Sequence, residues 1–174
     1  PDQQAMLLPA LASGARVAAL GLTGDLTREG DRVRGVGRGV LGAPVAHTVA
    51  LVVGDDVALV EATDVTVEMG AGLDPTRPAG AVRVDAATAD WLPGAARTAR
   101  RVLRALAAAE AAGLARACVG MAVAYATERE QFGRPIGSFQ AVKHHLADMF
   151  VDAQLAAAAA WEALGGAHRS AAEA

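Results

Sequence analysis

Residues 129–149 read REQFGRPIGSFQAVKHHLADM, and this stretch decides how the second half of the chain folds. It follows a long alanine-rich run of helical character, which Gly133 and Pro135 interrupt. Ser138 is placed to cap a second helix that begins near Phe139. The sequence therefore predicts two helices that meet at a tight corner.

The corner holds three side chains of complementary chemistry, Arg129, Phe132 and Gln140. A guanidinium, an aromatic ring and an amide can converge on one ligand, and arginine is the residue type suited to phosphate groups. The same residues can also be a solvated cation at a helix end, a packing residue at a corner and a surface amide. From the residues alone, both interpretations stay open.

This stretch resembles a signature of the acyl-CoA dehydrogenase family, R-x-Q-F-G-x-P-I-x-x-F-Q-A-x-x-x-x-L-A-D-M, and it matches that signature without a gap. In the family, the Arg, the Phe and the second Gln reach across a dimer interface to the FAD of the neighbouring subunit. The resemblance therefore implies that Arg129, Phe132 and Gln140 bind FAD across a subunit interface.

The composition is that of a soluble globular protein. The chain has 174 residues, of which 53% are hydrophobic and 20% charged, enough for one substantial domain or two small ones. Its formal net charge is −3 and it has no long basic run, which sets nucleic-acid binding aside. No signal peptide and no apolar run of membrane-spanning length is predicted, so we expect a cytoplasmic protein with no membrane partner.

The first half of the chain shows short β-type segments separated by turn residues. After a helical turn at 3–12, the predicted strands are 16–20, 32–36, 48–53, 57–61, 65–69 and 81–84. Gly54-Asp55-Asp56 indicates a hairpin, and residues 74–85 predict a proline-bounded loop before a strand. The dense spacing without helical pattern favours a β-barrel or sandwich.

The second half predicts an antiparallel pair of helices, at 97–131 and 139–164. The apolar stripe of the first consists of Leu103, Leu106, Ala109, Leu114, Ala117, Met121 and Ala124. The inner face of the second consists of Phe139, Val142, Leu146, Met149, Phe150 and Leu155, with Trp161 near its end. We expect Gly113 at a close helix crossing, a helix stop at Gly165-Gly166, and Cys118 as a buried thiol.

His144 and His145 lie on adjacent faces of the second predicted helix. No Cys, Asp or Glu stands at ligand spacing from them, so the sequence predicts no metal site. Solvated or locally hydrogen-bonded histidines are the expected outcome.

The resemblance implies an α+β fold in which a small β-barrel or sandwich domain precedes antiparallel helices of a C-terminal bundle. The expected boundaries are 1–92 for the middle β-domain, with its helical lead-in, and 93–174 for part of the helical domain. Family members are much longer, so the chain is expected to be a piece of a longer protein. The family's catalytic glutamate falls outside this region, and no catalytic residue is predicted here.

The chain departs from the family pattern where the middle domain normally holds its own flavin. The family loop L-T-E-P-x-A-G-S-D is reduced to Leu22-Thr23 followed by Gly24-Asp25, and residues 39–41 replace a W-I-T strand. Thr23 remains a candidate donor to a flavin edge, with a surface-loop threonine as the alternative.

A second departure concerns the substrate. In the family's D-x-x-R motif, which contacts acyl-CoA, Arg104 matches the Arg whereas Arg101 replaces the Asp. A cation can attract CoA phosphates but cannot accept a hydrogen bond. Arg104 is therefore either a substrate contact or part of a solvated basic helix start.

The signature at the corner is intact, whereas the loop and the strand that normally hold the flavin depart from the family pattern. This combination resembles the degenerate subunit of actinobacterial heteromeric acyl-CoA dehydrogenases. The resemblance implies a non-catalytic subunit of a FAD-dependent enzyme that desaturates an acyl-CoA thioester at the α,β position in fatty acid or steroid degradation. Its partners would be a companion dehydrogenase subunit, the acyl-CoA and an electron-transferring flavoprotein. The alternatives are a flavin-free structural or interaction module and a flavin oxidase or monooxygenase of the same fold.

Overall fold

The structure, a computed structural model, describes residues 2–70, 72 and 74–171. The chain divides into two compact units, residues 1–99 and 100–174. The first unit holds the strands of a large sheet, and the second holds most of two long helices. The expected domain boundary after residue 92 stays a prediction.

The first unit begins with helix α1 (Asp2–Ala12), which is followed by an eight-stranded sheet. Its strands are β1 (Ala18–Gly21), β2 (Thr23–Glu29), β3 (Arg32–Leu41), β4 (Thr48–Val53), β5 (Asp56–Glu61), β6 (Val65–Met69), β7 (Ala79–Thr88) and β8 (Asp90–Leu92). The order is β6-β7-β3-β1-β4-β5-β8, with β2 paired to β3. Strands β1 and β4 are parallel, and the other pairs are antiparallel.

The α+β class is confirmed, but the sheet is open and not a closed barrel. Strands β6 and β8 stand at the two ends of the order, and no described strand joins them. The core of the sheet is made of branched aliphatic side chains, which suit a pleated surface. The fully buried ones are Val33, Val40, Val49, Leu51, Val60, Val82 and Val84. Burial of each stabilises the fold by about 1.5–3 kcal/mol.

Two strands of this sheet were not predicted from the sequence, β2 and β8. Strand β2 reads TGDLTRE and has one aliphatic residue, Leu26, so it shows no alternation. It forms because its whole length pairs with β3, from Thr23↔Arg38 to Glu29↔Arg32. The predicted strands at 48–53 and 65–69 are confirmed, whereas β3 and β7 extend well beyond the predicted segments.

The predicted hairpin at Gly54-Asp55-Asp56 is confirmed, and its acidic residues also hold the start of the long helix. The backbone N–H of Gly94 donates to the Asp56 carboxylate at 2.9 Å, and that of Ala96 donates to the Asp55 carbonyl at 3.0 Å. Arg28 forms an ion pair with Asp56 at 2.8 Å. The turn between β4 and β5 thus fixes where the chain leaves the sheet.

The proline-bounded loop before β7 is also confirmed. The hydroxyl and the backbone N–H of Thr76 donate to the Asp74 carboxylate at 2.7 and 2.9 Å. These hydrogen bonds to the charged form lower the pKa of Asp74 below its ordinary value.

The second unit contains most of helix α2 (Ala96–Glu128), the short strands β9 (Glu130–Gln131) and β10 (Arg134–Pro135), and helix α3 (Gln140–Ala171). The predicted stop at Gly165-Gly166 is wrong, since α3 continues through both residues. Two glycines cost about 2 kcal/mol of helix propensity, and the many alanines of α3 offset that cost. Ser138 precedes α3, but its hydroxyl donates to the Pro135 carbonyl at 2.7 Å instead of accepting from the helix.

Helices α2 and α3 flank an open groove, and its lining residues run in opposite order along the two helices, as expected for an antiparallel pair. The deeply buried positions of the two helices are all alanines: Ala96, Ala105, Ala112, Ala126, Ala153 and Ala160. The predicted stripe is wrong at its large members, because Leu106, Leu114 and Met121 are all more than half exposed. The expected crossing at Gly113 is also wrong, since a Cβ there would meet nothing within 4 Å.

The buried side chains of α2 are alanines, whereas its larger apolar residues are exposed. Cys118 is exposed and not buried as predicted, since it lies at helical spacing from the exposed residues Leu114, Met121 and Tyr125. The expectation that no segment could span a membrane is also wrong, because α2 is long and apolar enough by length and composition.

Close backbone contact between β2 and β3 generates a stability prediction. Gly35 has φ 127°, and a Cβ there would collide with the Asp25 carbonyl oxygen. We expect Gly35→Ala to lower the free energy of unfolding by about 3 kcal/mol or more, measured by chemical denaturation. Gly30→Ala is the matched control, because φ is 69° but the space is open. It should cost only about 1 kcal/mol, and equal losses would contradict the steric explanation.

Candidate functional site

A two-stranded hairpin forms the corner between α2 and α3. Gln131 pairs with Arg134, and the backbone N–H of Ile136 donates to the Arg129 carbonyl at 2.7 Å, which extends the pairing by one step. The loop residues Phe132 and Gly133 have φ values of 52° and 76°. Positive φ at both positions is the pattern of a type I′ turn.

Gly137 allows the chain to pass close to the end of α2. A Cβ at this position would lie 2.8 Å from the Ala126 carbonyl oxygen, which is shorter than any ordinary contact. The close approach predicted at Gly113 is therefore found at the corner instead. This contact sets the distance at which α3 starts from α2.

Phe132 combines an unusual backbone with an unusual exposure. Positive φ is rare for a bulky residue and costs of the order of 1–2 kcal/mol. Its side chain is 92% exposed, so burial of the ring does not offset that cost. The ring has one aromatic neighbour, Phe139, in an edge-to-face contact with centroids 6.1 Å apart. Strain at an exposed aromatic residue is typical of a binding site.

Arg129 lies directly after α2, where its backbone N–H donates to the Tyr125 carbonyl at 2.9 Å. Its side chain is exposed, and among the described residues the guanidinium has no ion pair or hydrogen bond. Five N–H donors are thus available to a ligand.

Gln140 is the first residue of α3, and its side chain is exposed. The side-chain N–H of Gln140 donates to Nε2 of His144 across 2.9 Å. This local hydrogen bond fits the expectation for His144, and it leaves the carbonyl oxygen and the second N–H of the amide free. The spacing i, i+4 on a helix is a signal from which this pair could have been found.

Arg134 is a further cation of the corner, and the sequence reasoning missed it. Its guanidinium carbon lies 4.2 Å from the centroid of the Phe139 ring, a cation–π contact. Phe139 thus contacts both Phe132 and Arg134. No pattern of residue types indicates this contact, because Arg134 meets Phe139 only once the hairpin has formed.

Thr23 belongs to the first unit, and it lies on β2 and not in a surface loop. Its hydroxyl is exposed and donates to the Arg38 carbonyl at 3.2 Å. Asp25, which stands in the departed part of the family loop, forms an ion pair with Arg38 at 2.7 Å. The polar groups of Thr23 and Asp25, where this chain differs from the family loop, are therefore already bonded to Arg38 of β3.

Arg104 lies on α2 within the second unit, and its side chain is exposed. The structure thus places Arg129, Phe132 and Gln140 in one corner. Arg104 lies about seven helical turns before Arg129 along the chain, at roughly 3.6 residues per turn. The functional roles of all four, and of Thr23, stay predictions. No group of three or more metal-ligating side chains occurs among the described residues.

The side chains of the corner fit a dinucleotide that carries phosphates and aromatic rings. Two guanidinium groups suit phosphate oxygens, an exposed ring suits a planar ligand, and an amide can bond to a sugar or a base. FAD contains phosphates, planar rings, a sugar and a base, so it offers a partner to each of these side chains.

Comparison with known proteins identifies the class. Residues 94–173 match the family model described as "Acyl-CoA dehydrogenase, C-terminal domain". The chain also superimposes on acyl-CoA dehydrogenase structures over nearly its whole length. It belongs to the acyl-CoA dehydrogenase family.

Two relatives that match most of this chain are proteins of Mycobacterium tuberculosis. The chain is 38% identical to acyl-CoA dehydrogenase FadE34 of Mycobacterium tuberculosis over 90% of this chain and 23% of that protein. It is 38% identical to acyl-CoA dehydrogenase IpdE2 of the same organism over 87% of this chain and 41% of that protein. The chain thus spans less than half the length of either relative.

A solved structure named "Tcur3481-Tcur3483 steroid ACAD G363A variant" matches 97% of this chain and 52% of that chain, with a TM-score of 0.87 and 28% identity. A glutaryl-CoA dehydrogenase from Mycobacterium smegmatis in complex with FADH2 matches 91% of this chain and 49% of that chain, with a TM-score of 0.72 and 20% identity. The second likeness concerns the fold alone.

The geometry of Phe132 leads to a test of its structural role. We expect Phe132→Asn to leave the free energy of unfolding within about 1 kcal/mol of the original, because asparagine tolerates positive φ and the lost ring is exposed. Phe132→Val should destabilise by about 1–2 kcal/mol, since a β-branched residue disfavours this backbone. Chemical denaturation of both variants measures these changes. A large loss of unfolding free energy in Phe132→Asn would show that the ring is needed for folding.

Proposed function

We propose that this chain is part of a FAD-dependent acyl-CoA dehydrogenase and that it acts as the non-catalytic subunit. Arg129, Phe132 and Gln140 would bind the pyrophosphate and adenosine part of a FAD held mainly by a companion dehydrogenase subunit. The observation that carries this proposal is the corner itself: an unpaired guanidinium, a strained and exposed ring, and an exposed amide within one short segment.

The substrate would be an acyl-CoA thioester that is desaturated at the α,β position. When bound, FAD supplies the acceptor for the hydride that leaves the β-carbon. Arg104 would attract the phosphates of CoA by charge. Reduced flavin would pass its electrons to an electron-transferring flavoprotein. We expect this chemistry in a cytoplasmic pathway of fatty acid or steroid degradation.

Contacts within the first unit support the proposal that a companion subunit holds most of the FAD. Thr23 and Asp25 lie where the family holds its own flavin, and both bond to Arg38 across the hairpin of β2 and β3. A ligand at this place would have to replace an existing ion pair. A chain that binds flavin weakly by itself would depend on a companion for its cofactor.

Exposed apolar residues support association with further protein. On α2 these are Val102, Leu106, Leu114, Met121, Val123 and Tyr125, and on α3 they are Met149, Phe150, Val151, Leu155 and Trp161. Surfaces of this kind mark interaction sites. The steroid dehydrogenase structure that resembles this chain carries two gene products in its name, which agrees with a hetero-oligomer.

The same exposed surface also favours the alternative function, a flavin-free interaction module. Such a module would associate through α2 and α3 without any dependence on flavin. A related flavin oxidase or monooxygenase would keep the corner but carry out another reaction. The visible absorption spectrum separates the first alternative from the proposal, and turnover of acyl-CoA separates the second.

We therefore predict flavin absorption bands when the full-length protein is purified together with a companion dehydrogenase subunit, and no such bands when it is purified by itself. Bands in the protein alone would mean that its first unit holds flavin without help. Absence of flavin from the co-purified complex would favour the interaction module.

In that complex, Arg129→Ala should weaken FAD binding about 10-fold to 100-fold, because a charge-assisted hydrogen bond is lost. Arg104→Ala is the matched control, since it removes an exposed arginine of the same unit. It should leave FAD binding unchanged while it weakens binding of acyl-CoA. Unchanged flavin content in Arg129→Ala would contradict the assignment of Arg129.

A further inference from the structure

The corner contains a second guanidinium, that of Arg134, which the family signature leaves as a variable position. Arg134 is exposed, and within the described part of the chain it makes no ion pair or hydrogen bond. Its one specific contact is with the Phe139 ring, 4.2 Å from the guanidinium carbon. A cation–π contact occupies none of the N–H groups in a hydrogen bond, so those of Arg134 remain free to donate.

The pairing of β9 and β10 indicates which side chains share a face. Arg134 lies opposite Gln131, so these two side chains are on the same face of the hairpin. Arg129 is two residues before Gln131 and its carbonyl accepts from Ile136, so by alternation it belongs to that face too. Glu130 falls on the other face, which leaves the face of Arg129 and Arg134 without its negative charge.

We propose that Arg134 is a second phosphate-binding residue of the corner, so that Arg129 and Arg134 each bind one phosphate of the FAD pyrophosphate. This inference rests on the proposed function, because it assumes that FAD binds at this corner. Two cations on one face match the two negative charges of a pyrophosphate. The contact with Phe139 restrains the guanidinium of Arg134 before the ligand arrives, which reduces the entropy lost on binding.

The role of Phe139 follows from the same contacts. It packs against the ring of Phe132 and beneath the guanidinium of Arg134, so it couples the aromatic and the charged parts of the corner. Phe139 is itself a positioning residue that would not touch the ligand. Phe139→Leu would then weaken FAD binding less than Arg134→Ala, since it loosens the guanidinium without removing it.

The test is a titration of FAD into the flavin-depleted complex of the full-length protein with its companion subunit, at several KCl concentrations. We expect Arg134→Ala to weaken FAD binding about 10-fold to 100-fold. Arg134→Lys should be intermediate, because it keeps the charge but loses the planar fork. Lys143→Ala is the control, since it removes an exposed cation from the first turn of α3 and should change FAD affinity less than about twofold.

The salt dependence separates a phosphate contact from a structural role. Added salt screens ionic contacts, so FAD affinity should fall more steeply with KCl in the original protein than in Arg134→Ala. The inference would be overturned if Arg134→Ala bound FAD more weakly but with unchanged salt dependence. It would also be overturned if Arg134→Ala bound FAD as tightly as the original protein. If Arg129→Ala alone weakens binding, the proposed function stands and the role of Arg134 is wrong. If neither variant weakens binding, both are wrong.

Discussion

The backbone hydrogen bond from Ile136 to the Arg129 carbonyl, 2.7 Å long, is the constraint on which the candidate site depends. It closes the hairpin directly after the last turn of α2. Once it is closed, two residues remain for the turn, and both must adopt positive φ. The turn residues are Phe132 and Gly133, so the geometry that reverses the chain also directs an aromatic ring outward. Arg129 and Gln140 are held at the two ends of the same short segment.

Much of this could be predicted from the sequence, because its signals are local. Gly133, Pro135 and the following apolar periodicity predicted a corner between two helices, and both helices exist. The left-handed conformation of Phe132 could not be predicted in this way, since the residue type opposes it. It results from the closure of the hairpin, which is set by hydrogen bonds on either side of the turn. The orientation of Arg134 depends on Phe139 and is equally invisible in a pattern of residue types.

The errors in the two long helices share a physical cause, which is the abundance of alanine. In α2, alanine makes several faces equally apolar, and the large residues Leu106 and Met121 drew the prediction to the wrong face. The buried positions of α2 in the second unit are instead Ala105, Ala112 and Ala126. In α3, alanine neighbours carry the helix through Gly165. Strand β2 was missed for the opposite reason, since it has almost no apolar residues and owes its existence to β3.

The exposed ring of Phe132 has a thermal consequence for any complex formed at this corner. Its turn holds it away from the protein's own core, so its apolar surface stays hydrated until another molecule covers it. Covering apolar surface lowers the heat capacity, by about 0.45 cal/mol/K for each Å². The hydrophobic part of such an association weakens on cooling. The contribution of Phe132 to an assembly that closes over it would accordingly be larger at growth temperature than on ice.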